Sequence, residues 1–368
     1  MSKPDKKLAK YFVVTFGCQM NKADSEKITL SFEHKGYRQA KSAKDADVLI
    51  INTCSVRQSA EDRVLGLVNN LSKIKSKKRR PKIILTGCML RYPLPRLKKI
   101  LSAVDEFIKL KELIKNLKLE IRNSKAPAFV TIMEGCDNYC TYCVVPYSRG
   151  REVSRPMEEI YCEVKELVKR GVKEITLLGQ NVNSYGKGLK IENWKLNKNY
   201  KLKIINLKKQ YKTPFAILLA FLHSIKGLKK ISFLTSNPQD LTDDIIEAMK
   251  LPKIARYLHL PVQSGDDEIL KKMNRQYTCQ QYLALIKKIR CQIPKIEIGT
   301  DIIVGFPGET RQQFQNTVVL CKKARFKVAY VAKYSPRWGT AAFKLKDNVS
   351  PQEKKRRWRI LDKLINKK

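Results

Sequence analysis

Three short β-branched runs constrain the fold of this chain more than any other feature: Tyr11–Thr15 (YFVVT), Val48–Ile51 (VLII) and Lys82–Thr86 (KIILT). Runs apolar on both faces suit central parallel strands covered by helices. The stretches between them, Ser25–Gly36 and Ser59–Ile74, are amphipathic and long enough for crossover helices. The pattern is βαβαβ, an α/β doubly wound parallel sheet. A cysteine stands just past each run, at Gly17-Cys18, Thr53-Cys54 and Gly87-Cys88; the three lie 36 and 34 residues apart, about one βα unit each. In an open parallel sheet the carboxyl ends of the strands share one edge, where ligands bind. Three thiols placed there are expected to share one crevice and to make a metal or cluster site. The alternative is three buried structural cysteines.

A lysine-rich linker, Lys111–Pro127, separates this domain (residues 1–120) from a second (residues 121–368). The second domain offers six further strand-like runs: Phe129–Met133, Glu174–Leu178, Lys230–Leu234, Arg256–Leu260, Ile296–Ile303 and Val328–Val331. Helix-start signals lie between them, with capping boxes at Thr278–Gln281 and Thr310–Gln313. Six βα units in series predict a partial (β/α)6 barrel, two units short of the closed form. The Lys187–Lys212 stretch holds nine lysines and one acid, Glu192; it reads as a polar insertion outside the core. After Pro351 a basic helix, Gln352–Ile365, carries Trp358, Leu361 and Ile365 at packing spacing.

Directly after the first barrel strand comes Cys136-Asp137-Asn138-Tyr139-Cys140-Thr141-Tyr142-Cys143, a C-x3-C-x2-C motif where barrel enzymes keep their chemistry. Three thiolates within eight residues bind three irons of a cubane and leave the fourth open to a substrate. Structural zinc is the alternative and needs a fourth ligand, for which Cys162 or His259 would have to serve. Cys162, Cys279, Cys291 and Cys321 fall mostly within helical patterns and read as small core residues, and His34 and His223 as structural or exposed.

The chain has 75 Lys plus Arg against 34 Asp plus Glu in 368 residues, a formal charge of +41. That balance favours a polyanionic partner, nucleic acid first. The basic residues cluster at Lys73–Lys82, Lys187–Lys212 and Lys354–Arg359, so binding that weakens steeply with salt is expected. The longest apolar run, Phe215–Leu222, is far too short to span a bilayer, and the amino terminus carries no leader-like segment. The expectation is a cytoplasmic protein with no membrane association.

The tri-cysteine spacing, with an aromatic before the third cysteine, resembles the radical S-adenosylmethionine (SAM) superfamily. TFGCQMN (Thr15–Asn21), INTCSVR (Ile51–Arg57), MEGCDNYCTYCVVPYSRG (Met133–Gly150), LLGQNVNSYG (Leu177–Gly186), LHLPVQSG (Leu258–Gly265) and TDIIVGFPGET (Thr300–Thr310) resemble the MiaB-type methylthiotransferase family within it. The resemblance implies two [4Fe–4S] clusters, one on Cys136, Cys140 and Cys143 that chelates SAM and an auxiliary one on Cys18, Cys54 and Cys88. It implies a tRNA substrate carrying N6-isopentenyladenosine at position 37 and a 2-methylthio product. No side-chain acid or base is required: an adenosyl radical removes the C2 hydrogen, and the auxiliary cluster supplies a methylated sulfur. Both clusters must therefore open onto one chamber. Electrons must come from a low-potential donor such as flavodoxin with its reductase.

By the same resemblance Tyr142, Gly179, Gln180, Asn181 and Glu309 contact SAM. Arg149 and Arg151 meet tRNA phosphate, SAM carboxylate or solvent. The sequence departs from the family at Ser232 and Asn237, where Arg and His are usual, and at Trp338, where Pro is usual. By the same resemblance, relatives continue past the position of Lys368 into a small RNA-binding TRAM domain; either the sequence is truncated there, or the lysine-rich insertion and the terminal helix are expected to compensate partly by charge. The alternatives are methylthiolation of threonylcarbamoyl-adenosine tRNA or of a ribosomal protein, and, from another class, a non-catalytic iron–sulfur RNA-binding protein.

Overall fold

The computed structural model describes residues 8–73, 80–115, 127–188 and 198–367. They form two compact units: Met1–Asn123 with Tyr147–Arg149, and Ser124–Pro146 with Gly150–Lys368.

The first unit runs β1 (Lys10–Thr15), α1 (Gln19–His34), β2 (Arg38–Gln39), β3 (Val48–Thr53), α2 (Gln58–Ser72), β4 (Lys82–Gly87), α3 (Leu94–Ile100), β5 (Glu106–Phe107) and α4 (Leu110–Leu113). Its five strands are all parallel in the order β2-β1-β3-β4-β5. That is the flavodoxin-like doubly wound order, whose switch point lies between β1 and β3. The apolar runs are buried on both faces. Tyr11, Val48, Ile50 and Ile84 join Ile28 and Phe32 of α1 and Leu113 of α4 in one core. Their alternates Leu49, Ile51, Ile83 and Leu85 are fully buried on the other face.

Two details differ from the sequence expectation. The α1 helix begins at Gln19 instead of Ser25, because Cys18 in extended conformation is its N-cap and Asn21, Ala23 and Asp24 of the first turns are buried. The two-residue edge strands β2 and β5 lack an apolar pattern, and register against β1 and β4 alone defines them.

The chain continues with β6 (Ala128–Thr131), β7 (Met133–Glu134), α5 (Val145–Arg149, whose last three residues belong to the first unit), β8 (Val153–Ser154), α6 (Met157–Lys169), β9 (Glu174–Leu178), α7 (Lys198–Lys208), α8 (Pro214–His223), β10 (Lys230–Phe233), α9 (Asp243–Met249), β11 (Tyr257–His259), α10 (Asp267–Lys272), α11 (Cys279–Gln292), β12 (Glu297–Val304), α12 (Arg311–Ala324), β13 (Val328–Lys333) and α13 (Pro351–Ile365), which apart from that turn make the second unit. Its parallel strands form two triads, β10-β9-β6 and β11-β12-β13. A parallel bridge pairs Ile231 of β10 with Ile254, three residues before β11. Six strands thus follow one another in chain order, as in a partial barrel. Both capping boxes form, with Thr278 and Thr310 as the capping residues.

The run Phe129–Met133 is not one strand: it breaks at Ile132, and β7 turns away to pair antiparallel with β8. The insertion is also not wholly outside the core. Residues 189–197 lie outside the described residues, but α7 buries Ile204 and sets Tyr200 against Tyr161, which stacks on Phe221 at 4.1 Å. Lys203 lies over both rings and donates to Ser224 Oγ. Of the remaining cysteines only Cys321 is buried; Cys162 and Cys291 are exposed.

The basic run of α13 points both ways. Lys354 and Arg357 are buried, paired with Asp347 at 2.6 Å and Glu309 at 2.7 Å, which leaves Lys355, Arg356 and Arg359 outward. Trp358 donates its indole N–H to Val331 O. No helix among the described residues is long and apolar enough to cross a membrane.

Candidate functional site

In the first unit Cys18, Cys54 and Cys88 follow β1, β3 and β4, on the carboxyl edge and around the switch point. Gly17 brings the first two together: its φ is 123°, and a Cβ there would stand 2.4 Å from Cys54 Cβ. We expect Gly17→Ala to cost about 2–4 kcal/mol, from left-handed strain plus overpacking, visible as a lowered denaturation midpoint. A buried polar lattice ties the strand ends beneath the thiols. Asn21 Nδ2 donates to Thr53 O at 2.7 Å, Asn52 Nδ2 to Asn21 O at 2.8 Å, and Thr53 Oγ1 to Thr86 O at 2.6 Å.

Electrostatics couple the trio. The Cys54 thiol donates to Cys18 and pulls it well below the usual thiol range, helped by the N–H groups of Asn21 and Met20 at the start of α1 and by the Arg149 guanidinium. Cys54, the donor, is pushed up by that bond, by burial and by the charge of Cys88. Arg149 pairs with Asp24 at 2.7 Å.

In the second unit the loop bearing Cys136, Cys140 and Cys143 leaves the β7–β8 hairpin, and Cys136 N–H donates across its neck to Gly150 O at 3.3 Å. The segment after α10 clamps the loop. Thr141 Oγ1 donates to Lys272 O at 2.8 Å, Asn274 Nδ2 to Asn138 O at 3.1 Å, and Arg275 Nη1 to Cys140 Sγ at 3.6 Å. Burial pushes the Cys136 thiol up to about 11 and Cys143 up to about 12, and charge on Cys140 adds to both. Thiolates crowded in this way repel one another, and a cationic iron core reverses that cost. Among the described residues no three His, Cys, Asp or Glu side chains converge as ligands of one ion.

Asn274 and Arg275 escape sequence reading because they act 130 residues or more from the loop they hold.

Tyr142 packs, as Ile303 does, against the apolar cluster that includes Met273, Phe306 and Tyr334. Gly179 to Asn181 follow β9, where Thr235 Oγ1 donates to Gly179 O at 2.7 Å and Asn181 Nδ2 to Asp240 at 2.6 Å. Buried polar atoms without a partner are rare. Here Gln180 Oε1, Asn181 Oδ1, both side-chain polar atoms of Asn183 and Ser236 Oγ are all in that state at the ends of β9 and β10, which suits a polar ligand. Glu309 sits differently: its carboxylate accepts from Gly305 N–H at 2.6 Å and from Arg357 at 2.7 Å, bracing the turn after β12. Arg151 pairs with Asp137 at 2.9 Å.

A cavity of about 240 Å³ beside Cys140 is lined by Asp137, Asn237, Gln239 and Arg275 among others. The departure at Asn237 thus lies in the wall beside the cluster loop, and its Oδ1 accepts from Gln239 N–H at 3.4 Å.

Burial pushes the Glu152 carboxyl up from 4.5 to about 7, although Ser184 Oγ donates to it at 2.8 Å. The folded value lies above the unfolded one. The group's contribution to stability is therefore complete below 4.5 and lost as pH rises through about 7. Glu152→Gln is expected to flatten that loss between about pH 5 and about pH 8, read from urea midpoints.

A tri-cysteine loop at the mouth of a six-stranded partial barrel defines a radical-SAM protein, and the family model described as Radical SAM superfamily matches residues 130–321. A second model, described as Uncharacterized protein family UPF0004, matches residues 10–109. The chain is 43% identical, over 97% of its length and 78% of the relative's, to a Thermoanaerobacter sp. (strain X514) protein named tRNA-2-methylthio-N(6)-dimethylallyladenosine synthase. A Clostridium botulinum (strain Loch Maree / Type A3) protein of the same name is 42% identical over 98% of this chain and 82% of its own. This chain belongs to the MiaB-type family of radical-SAM methylthiotransferases. Its fold is also similar, at TM-score 0.58 and 12% identity over 92% of this chain and 77% of the other, to the Kitasatospora setae radical SAM methyltransferase TsrM, solved with cobalamin and a [4Fe-4S] cluster. Membership brings an iron–sulfur cluster and SAM as cofactors.

Proposed function

We propose that this chain converts N6-isopentenyladenosine at position 37 of tRNA to its 2-methylthio derivative. One observation carries the reading: a chain 43% identical to an enzyme named for that product has cysteines just past β1, β3 and β4 and three more in the loop after β7. Cys136, Cys140 and Cys143 would hold the cluster that binds SAM, and Cys18, Cys54 and Cys88 a second [4Fe–4S] cluster. When bound, these groups supply the one-electron and sulfur chemistry that an unactivated C–H bond requires and no side-chain acid or base provides.

The chain's own residues bind and orient. Arg275 donates to Cys140 Sγ and so draws off thiolate charge, while Thr141 and Asn274 fix the loop backbone. Tyr142, Ile303 and Phe306 form an apolar wall beside the cysteines that excludes water. Gln180, Asn181, Asn183 and Ser236 offer the unsatisfied polar atoms to SAM. Glu309 acts through the turn it braces. Outward lysines of α7 and α13 attract the tRNA. A flavodoxin-type donor with its reductase supplies electrons, and the reading involves the cytosol and no membrane.

The test incubates anaerobically reconstituted, reduced protein and SAM separately with three substrates: tRNA bearing isopentenyladenosine, tRNA bearing threonylcarbamoyl-adenosine, and ribosomal protein. The expected result is the mass of an added SCH3 group on the first alone. Cluster assembly and RNA binding without SAM cleavage would instead identify a non-catalytic binding protein.

A further inference from the structure

Along β12, Thr300, Ile302 and Val304 are buried on one face, and Gly299, Asp301 and Ile303 share the other. Ile303 packs on the same apolar cluster as Tyr142 of the cysteine loop, so this second face runs toward that loop. Two residues back, roughly 7 Å along the strand, lies Asp301. Parallel register sets Tyr330 of β13 beside Asp301 and His259 of β11 beside Gly299.

The four side chains on this face form one construction. His259 Nε2 lies 3.1 Å from Asp301 Oδ2. A carboxylate only accepts, so Nε2–H donates to it, and in the neutral ring Nδ1 accepts from the Tyr257 hydroxyl at 3.3 Å. The Tyr257 hydroxyl lies across Gly299, where a Cβ would stand 2.1 Å from its oxygen. The bare backbone of Gly299 is therefore a condition for the chain Tyr257–His259–Asp301. Its far end is open. The Asp301 side chain is 38% exposed, and its Oδ1 has no hydrogen-bond partner among the described residues. Tyr330 is 52% exposed, and its ring tilts over His259 at 5.6 Å.

An acceptor locked in place beside an uncovered aromatic ring suits a planar heterocycle that carries an N–H: the ring stacks and the amine donates. We infer that Asp301 and Tyr330 grip the target purine of the RNA substrate, Tyr330 by stacking and Asp301 by accepting its exocyclic N6–H, with His259 as a positioning residue. This rests on the reading of an adenosine substrate given above.

The test measures binding, without turnover, of stem-loop RNAs carrying adenosine, N6-isopentenyladenosine or purine riboside at the target position to reconstituted protein. Wild type is expected to prefer the two amine-bearing loops by roughly tenfold or more. Asp301→Leu, similar in size but without an acceptor, should reduce that ratio to about one. Tyr330→Ala should weaken all three RNAs by roughly five- to a hundredfold, and Tyr330→Phe should restore them. The inference is overturned if wild type shows no preference for the amine, if Asp301→Leu keeps the ratio, or if Tyr330→Ala shifts SAM affinity and leaves RNA binding unchanged. Should Asp301→Leu fail to fold, the Tyr330 pair decides. A wild type that shows the ratio but never adds SCH3 would overturn the reaction and leave the purine grip standing.

Discussion

Cys140→Ala is expected to remove about one cluster's worth of iron and sulfide and to reduce SAM cleavage to background, while Cys54→Ala removes the other cluster and spares SAM cleavage. The two trios sit on different sheets. Within each, the charges are coupled: Cys54 responds to Cys18 and Cys88, and Cys143 responds to Cys140 and Cys136. Losing one sulfur leaves two, too few to hold a cubane against exchange. Iron and acid-labile sulfide counts on anaerobically reconstituted variants decide it. Equal losses from both variants, or none from either, would mean that the six sulfurs do not sort into two sites. The methylthio product should vanish in both variants, so product alone cannot separate them; 5′-deoxyadenosine release can.

The second large effect concerns stability. Arg357 is buried and pairs with the buried Glu309 at 2.7 Å and the half-buried Glu353 at 2.9 Å. Burial raises the Glu309 carboxyl even though the Gly305 N–H and Arg357 hold it down. Arg357→Leu would strand that carboxylate, at a cost of about 3–5 kcal/mol. The loss should shrink as pH falls, because an unpartnered buried carboxylate takes up a proton. Replacing Glu309 by Leu as well should recover most of the loss, since an apolar pair of similar volume is often neutral. Urea midpoints of the two variants at two pH values test both statements. A single variant as stable as wild type would show that the pair adds nothing.

Much of this architecture was legible in residue order. The β-branched runs located β1, β3, β4, β9, β10, β11, β12 and β13 to within two residues at each end, because parallel strands beneath covering helices carry dense, short apolar runs. Capping boxes marked two helix starts because the cap is local chemistry. Closures over long sequence distance were illegible. Neither the Arg275–Cys140 contact nor the Asp24–Arg149 pair leaves a periodic trace, since each is made by residues more than a hundred positions apart. Glu309 illustrates the reverse case. Its place in a conspicuous turn suggested contact with a ligand, and the fold ties its carboxylate to backbone and arginine instead. The lysines of α7 and α13 read as a uniform solvated charge, yet Lys203, Lys354 and Arg357 lie against rings and acids.

The turn that follows β12 has a consequence for biosynthesis. Its carboxylate waits for a guanidinium made 48 residues later. Until that arginine is made, the turn between β12 and α12 lacks its counter-charge, so it is expected to close late in folding.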